Sequence, residues 1–514
     1  MTGGGSHGGR WIARLLPPFM LVLAATAGQA APAAAPPPLP QADLQLIDRL
    51  TWGINASEIE RFRKLGRQGW IDFQLRPQAP INLPPPVMER FAAMAVAAKP
   101  MGELAVDAEA LRYGGLHPSD PAEGKQSYAE FVGRMKLYQA ETVERSLLRD
   151  LYSPDQLREQ MTWFWFNHFN VRIGNQPLPS LVRDYEEDTI RPLALGKFCA
   201  LVNATLRHPA MLMYLGNSAS KVGKINENYA RELMELHTMG VGSGYTQADV
   251  QALARVLTGA TVDLKNWPPP PPPTGGVRDG LFLFNPALHD GGSKTLLGEK
   301  IRAKGYAEID EATGRLCRHP ATARRIATKI ARYLVADTPP DSLIDKMTAT
   351  FTASDGDITA VLRTLIASPE FAAAQGRLFK DPNHYILSAI RLGYDGRIVT
   401  APKTVAVMLA RMGQPRFGRL TPDGYPLSAA DWSSSGQMST RFDLAAGLGR
   451  GMPQLFMTTP GVRPRIEPPQ LKSLLASTGI HADLAPATRA ALDAAGSPTE
   501  WNTLFYASPE FMRR

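Results

Sequence analysis

Apolar residues along this chain recur every three to four positions, the spacing of helices buried on one face. The pattern predicts helix near residues 46–53 and 57–62, and again over 87–98 after a proline break at 84–86. Amphipathic runs continue at 320–335, 342–351 and 358–366. Ser153-Pro154-Asp155-Gln156 reads as a helix start, with a capping serine, a first-turn proline and a glutamine three residues on. The helix it opens carries Trp163, Phe164, Trp165, Phe166 and Phe169 on every side, which demands burial all round. Thr246 and Asp249 form a second capping box, opening a helix that ends at Gly259. Phe282–Phe284 is the one run that reads as a strand. The expected fold class is therefore mainly α: a large multi-helix globular body with long loops and at most a few short strands.

One polar stretch stands apart, residues 226–240. Asn226 can cap its start, Glu227 suits the positive end of the helix dipole, and Gly240 supplies a stop. On a helical wheel Tyr229, Ala230, Leu233, Met234 and Leu236 share an apolar face, with His237 on the same side. Glu227, Arg231 and Glu235 line the opposite face, one turn apart. This is not a ready-made metal helix, because Glu235 and His237 point nearly opposite ways and no second histidine follows at i+4.

Composition narrows the setting. Arg10 and Arg14 precede an apolar run at 15–25 and small residues up to Ala30, so residues 1–30 read as a secretory signal peptide. No later stretch is long enough to span a bilayer, so periplasmic or secreted localisation is expected, with no stable membrane span after cleavage. A Pro/Ala-rich linker covers 31–43. Helical regions are expected over 44–150, over 151–300, where any site should lie, and over 301–514. The formal charge is +8, and loss of Arg10 and Arg14 with the leader leaves +6, spread among acids rather than concentrated. Nucleic-acid binding needs a basic stripe and is rejected. Cys199 and Cys317 can pair in an oxidising compartment, yet each also sits in an apolar helical pattern that suits a buried thiol. The six prolines at 268–273 mark a solvated loop, read as an insertion. Ala-Ser-Pro-Glu-Phe occurs at 367–371 and at 507–511, a reused helix-start device.

Ordered blocks along the chain carry a resemblance. Trp165-Phe166-Asn167-His168-Phe169, His208-Pro209-Ala210-Met211 and Asn226-Glu227-Asn228-Tyr229-Ala230-Arg231-Glu232-Leu233 are three of them. Tyr245-Thr246 with Asp249-Val250, His289-Asp290 with Lys294-Thr295, and His319-Pro320-Ala321-Thr322-Ala323 continue the series. Together they resemble the bacterial family called domain of unknown function 1800, over roughly residues 44 to 514. The resemblance implies an exported, mainly helical protein without an established activity. It also implies a neighbour, since members often appear beside a second exported family with a sulfatase-like or phosphatase-like look. It carries over no catalytic residue and no cofactor.

Two function classes stay open from the residues. In an enzyme, Glu227, Arg231, Glu232, Glu235 and His168 would supply catalytic groups, with Asn228, Tyr229, His208, His289 and Asp290 as binding residues. Paired carboxylates in unlike environments serve as general acid and base, here on a cell-envelope glycan. The plainer reading of Glu227, Arg231 and Glu235 is a salt-bridge ladder. His168 in its aromatic helix reads first as a satisfied core histidine, and His208 and His319, each before a proline, as helix-start caps. His289-Asp290 lies in a glycine-bounded loop, where polar residues are better functional candidates. A metal site from His168, His237, His289 and Asp290 has acceptable donor chemistry, but spacing neither supports nor excludes it. Beyond the leader-like segment no Gly-x-Ser-x-Gly elbow occurs, and the glycines at 240–244 follow no strand, so nucleophile-elbow and dinucleotide readings fail. The competing class is a non-catalytic scaffold that binds another exported protein or an envelope polymer through loop 413–445, with Phe417, Tyr425 and Trp432 as its contact face.

Overall fold

Helices take 61% of the chain and strands 4% in the computed structural model, which makes the protein mainly α. The structure describes Met1 and residues 37–76, 82–174, 177–459, 461–480 and 484–514. The signal-peptide reading and most of the linker lie outside the described residues. Residues 39–514 cluster as one unit. Its main hydrophobic core draws side chains from Leu44 through to Met512, so the three helical regions expected from the sequence share one interior. A smaller core around Val87, Phe91, Leu104, Phe131 and Met135 belongs to the region before residue 150. There the helices Met101–Leu116 and Pro121–Tyr152 form an antiparallel hairpin.

At the centre runs the helix Gln156–His168, and all thirteen of its residues are buried. This follows from its composition, since an aromatic helix has no face to offer water. Its start differs from the expected one. Ser153 accepts a hydrogen bond from the Asp155 amide at 3.2 Å instead of capping the first turn. Gln156 reaches back, donating to the carbonyls of Asp150 (2.9 Å) and Ser153 (2.8 Å). The Thr246–Asp249 capping box forms as expected. Strand Phe282–Phe284 pairs antiparallel with Ala260–Val262 on one side and Val277–Asp279 on the other. The proline loop joins those partners, and Trp267 at its start packs on Gly102, where a Cβ would fall 1.9 Å from the indole.

Loop 413–434 crosses the central helix, and its course corrects the contact-face expectation. Phe417 (1% exposed), Tyr425 (7%) and Trp432 (5%) are buried. Asn167 holds the loop on both sides of Tyr425, accepting from its amide (2.6 Å) and donating to its carbonyl (2.9 Å). Asn170 donates to the Thr421 carbonyl at 2.8 Å. Gly424 adopts φ +77°, and a Cβ there would lie 2.0 Å from the Asn167 carbonyl oxygen, so only glycine fits. Arg416 lays its guanidinium 4.1 Å over Trp163 and pairs with Asp150 at 2.6 Å. Burial lifts the Asp150 carboxyl and pushes that of Glu186 up to about 7, against the pull of Arg416 on both. Polar anchors thus turn an apparently free loop into a lid on the aromatic helix.

Cys199, on Phe198–Arg207, and Cys317, on Ala307–Arg318, form a disulfide with Cα atoms 5.5 Å apart. Arg514 is buried too. Its guanidinium donates to the carbonyls of Tyr333 (2.7 Å) and Arg49 (3.2 Å), while Arg49 donates to the Arg514 carbonyl.

Candidate functional site

The polar helix of residues 226–240 is built in two parts. Glu227–Glu232 is α-helical and Leu233–His237 widens into a π turn. The widening rotates the wheel, so Leu236 becomes half-buried while Met234 and His237 go inside. Arg231 sits 3.6 Å from both Glu227 and Glu235. Gln247 completes the row, accepting from Arg231 at 2.7 Å and donating to Glu227 at 2.6 Å. These charges are partly exposed and mutually satisfied. Glu232 lies elsewhere, within electrostatic reach of Asp423 on the lid. Burial, then the charges of Glu235 and Asp423, raise its carboxyl above the usual range.

His168 occupies a different place. It ends the central helix, and its Nε2 lies 3.0 Å from the carbonyl oxygen of His237, at the end of the π turn. That contact makes Nε2 the protonated nitrogen and leaves Nδ1 as an acceptor. Lys329 fills the acceptor, its Nζ 2.8 Å away. Burial, reinforced by Lys329 and His237, holds His168 well below the usual imidazole range, and His237 falls to about 3 for the same first cause. Lys329 itself drops to about 7, because it is buried and because Arg325 adds a second cation nearby. Among the described residues no carboxylate lies within 4.0 Å of its ammonium. Arg325 donates to the Leu236 carbonyl at 3.2 Å, so the end of the π turn is met by a cation and an imidazole.

This pair lies against an open cleft of about 480 Å³ between the helix Pro320–Leu334 and the lid. Phe164, Asn167, Arg332, Asp337, Arg419 and Asp423 also line it. Arg419 and Asp423, four residues apart on the lid, pair at 2.9 Å. Asn167 is committed to the lid backbone, so it shapes the cleft rather than facing a ligand. Lys329 offers its amine to this cleft beside the exposed Asp431, while Asp337 keeps one oxygen buried and accepts from the Ala429 amide with the other at 2.9 Å.

The remaining residues singled out in the sequence fall outside this cleft. Tyr229 is a core residue, 1% exposed, and its hydroxyl donates to the Leu206 carbonyl at 3.3 Å. Asn228 lies in the first turn beside the capping Asn226. His208 starts the helix Pro209–Tyr214, where its Nδ1 accepts from the Ala210 amide and its Nε2 meets Asp184 at 3.1 Å. His319 repeats the device with the Ala321 amide at 3.2 Å, so the His-Pro pairs are imidazole N-caps. Asp290 forms a two-pronged pair with Arg255, and His289 sits 3.4 Å from Glu308. His168 and His237 are therefore apart from His289 and Asp290. Among the described residues no three His, Cys, Asp or Glu side chains gather as metal ligands.

Lys329, Arg419 and Asp423 were missed in the sequence. Lys329 lies on the apolar stripe of its helix, three residues after Ile326 and four before Tyr333, both buried. A lysine at a core position is the signal that was available. A family model described as "Protein of unknown function (DUF1800)" matches residues 45–513, and the chain belongs to that family. No curated protein and no solved structure matches it.

Proposed function

We propose that the cleft beneath the lid is the working site of an exported enzyme, and that Lys329 performs acid–base chemistry there on a cell-envelope glycan, as a hydrolase or lyase. The observation that carries this reading is the Lys329–His168 pair lining an open cleft, an amine hydrogen-bonded to a neutral imidazole and, among the described residues, without a carboxylate within 4.0 Å. Such an amine loses its proton near neutral pH and takes one from a substrate at little cost. His168 acts as a positioning residue, its tautomer fixed by the His237 carbonyl. Asp431, exposed in the lining of the cleft, supplies a carboxyl group to meet a leaving oxygen. Export is supported by the leader-like sequence and by the disulfide, which persists in oxidising compartments.

The test is a panel of envelope glycans incubated with wild type, Lys329→Met and His168→Gln, reading new chain ends against pH. Turnover should rise as pH passes through about 7 and vanish in Lys329→Met. Full activity in Lys329→Met, or a wild type inert on the whole panel, would sink this reading. A second reading, the partner-binding scaffold, is favoured by the end of the N-terminal hairpin, where Tyr113 (61% exposed) and Leu116 (51%) face water. Co-purification of an exported protein that Leu116→Glu abolishes would support it, and recovery as a monomer at all salt concentrations would count against it.

A further inference from the structure

We propose that a second cavity, formed by residues 291–308, binds an anionic group of the phosphate type, independently of the lid cleft. It measures about 410 Å³, and Lys294, Lys300, Arg302, Lys304 and Glu308 line it together with Gly291–Ser293 backbone. The single acid of that lining is already compensated. Lys294, 3% exposed, donates to Glu308 at 2.6 Å and to the Asp290 carbonyl, while His289 stands 3.4 Å from the other Glu308 oxygen. Lys300, Arg302 and Lys304 are left over. All three are exposed, and among the described residues no carboxylate lies within 4.0 Å of any of them. Three uncompensated cations around one concavity repel each other, and a multiply charged anion would relieve that repulsion.

The backbone carrying these cations is clamped rather than loose. Glu311 accepts from the amides of Arg302 (2.9 Å) and Ala303 (2.7 Å) through one oxygen. Arg315 donates to the carbonyls of Glu299 and Lys300, each at 2.7 Å, and pairs with Glu311. Arg255 ties the far side, bonding Asp290 twice and donating to the Ser293 carbonyl at 3.0 Å. Glu311, Arg315, Arg255 and Asp290 are thereby used up in holding the rim, and the cations on it keep their charge for a ligand. Guanidinium and ammonium groups presented this way recognise phosphate oxygens by charge-assisted hydrogen bonds. The source is either a free oxyanion or a phosphate carried on a polymer.

Titration calorimetry of the mature protein separates the sources, using inorganic phosphate and a polyphosphate chain as probes. Saturable binding of inorganic phosphate assigns a free oxyanion, and binding of polyphosphate alone assigns a polymer-borne group. In either case the triple variant Lys300→Gln, Arg302→Gln, Lys304→Gln should bind at least about tenfold more weakly, with a steep loss of wild-type affinity in salt. The control Lys125→Gln, Lys136→Gln, Lys472→Gln removes the same charge from exposed helix positions and should bind like wild type. Equal losses in the two triple variants would reduce the effect to net charge and overturn the site. So would the absence of binding to both probes by a wild type with an unaltered melting curve. All three substituted side chains project into solvent, so the triple variant keeps the fold, as circular dichroism would verify.

Discussion

Replacing Lys329 by methionine gives a stability change whose sign depends on pH. Burial, with Arg325 nearby, holds the native amine down at about 7, against 10.5 for an exposed lysine. At roughly 1.4 kcal/mol per unit the folded state then carries an upper bound of about 5 kcal/mol against it below pH 7, where the amine is charged in both states. Contact with the cleft's water cuts this to roughly 2–4 kcal/mol. A depressed lysine means that the unfolded chain binds more protons between pH 7 and 10.5, so this handicap fades as pH rises through that window. Methionine keeps the length and apolar stem and removes the handicap. It also leaves His168 Nδ1 without its donor, a loss of about 1–3 kcal/mol that does not vary with pH above the imidazole range. Lys329→Met should therefore match or exceed wild type in urea unfolding at pH 6 and fall below it at pH 9.5. The gap between the two proteins should move by roughly 1.5–3 kcal/mol across that range, because pH 9.5 still lies below the unfolded value. A gap that stays constant would show that Lys329 is charged at its ordinary pKa, and the basis for its chemistry would fail.

Other expectations follow from the same geometry. Acidification should unfold the protein early: His237 and His384 are held down at about 3 and 4 by burial, so the unfolded chain takes up protons below pH 6.5 that the native state refuses. Stability measured by denaturant should fall by several kcal/mol between pH 6.5 and 4, and a flat profile would contradict buried neutral imidazoles. Reducing the Cys199–Cys317 bond, which spans 118 residues, should cost about 4–5 kcal/mol by loop entropy, read as a lowered melting temperature. Arg231→Ala should change stability by less than about 1 kcal/mol, because its ladder is exposed. Arg416→Ala should cost about 3–5 kcal/mol by stranding Asp150 and Glu186 in the core, a contrast that thermal melts can resolve.

What was legible in the sequence was what depends on neighbours along the chain. The all-round burial of Gln156–His168, the Thr246 capping box and strand Phe282–Phe284 are local patterns, and they appear as expected. The partners of that strand, Ala260–Val262 and Val277–Asp279, were not legible, since antiparallel pairing is chosen by tertiary contacts rather than by short-range preference. Ser153 looked like a cap, yet Gln156 supplies the bonds to the turn and moves the helix start forward. The ladder of Glu227, Arg231 and Glu235 was readable from i, i+4 spacing. The π turn after it was not, and with it went the assignment of Leu236 to the apolar face. The cleft was invisible for a plainer reason. His168 and Lys329 are 161 residues apart, and only the folded chain puts an amine beside that imidazole.

The meeting of Arg49 and Arg514 has a consequence for how the molecule is made. These two buried cations exchange hydrogen bonds across a separation of 465 residues, and the same knot takes in Tyr333. Arg49 also donates to the carbonyls of Leu334, Val335 and Ala374, so this buried cation is fully bonded only once three distant segments have gathered round it. Contacts of such long range also make assembly slow and leave apolar surface open in the meantime. A core tied in this way closes late, after segments far apart in sequence have been brought to one point.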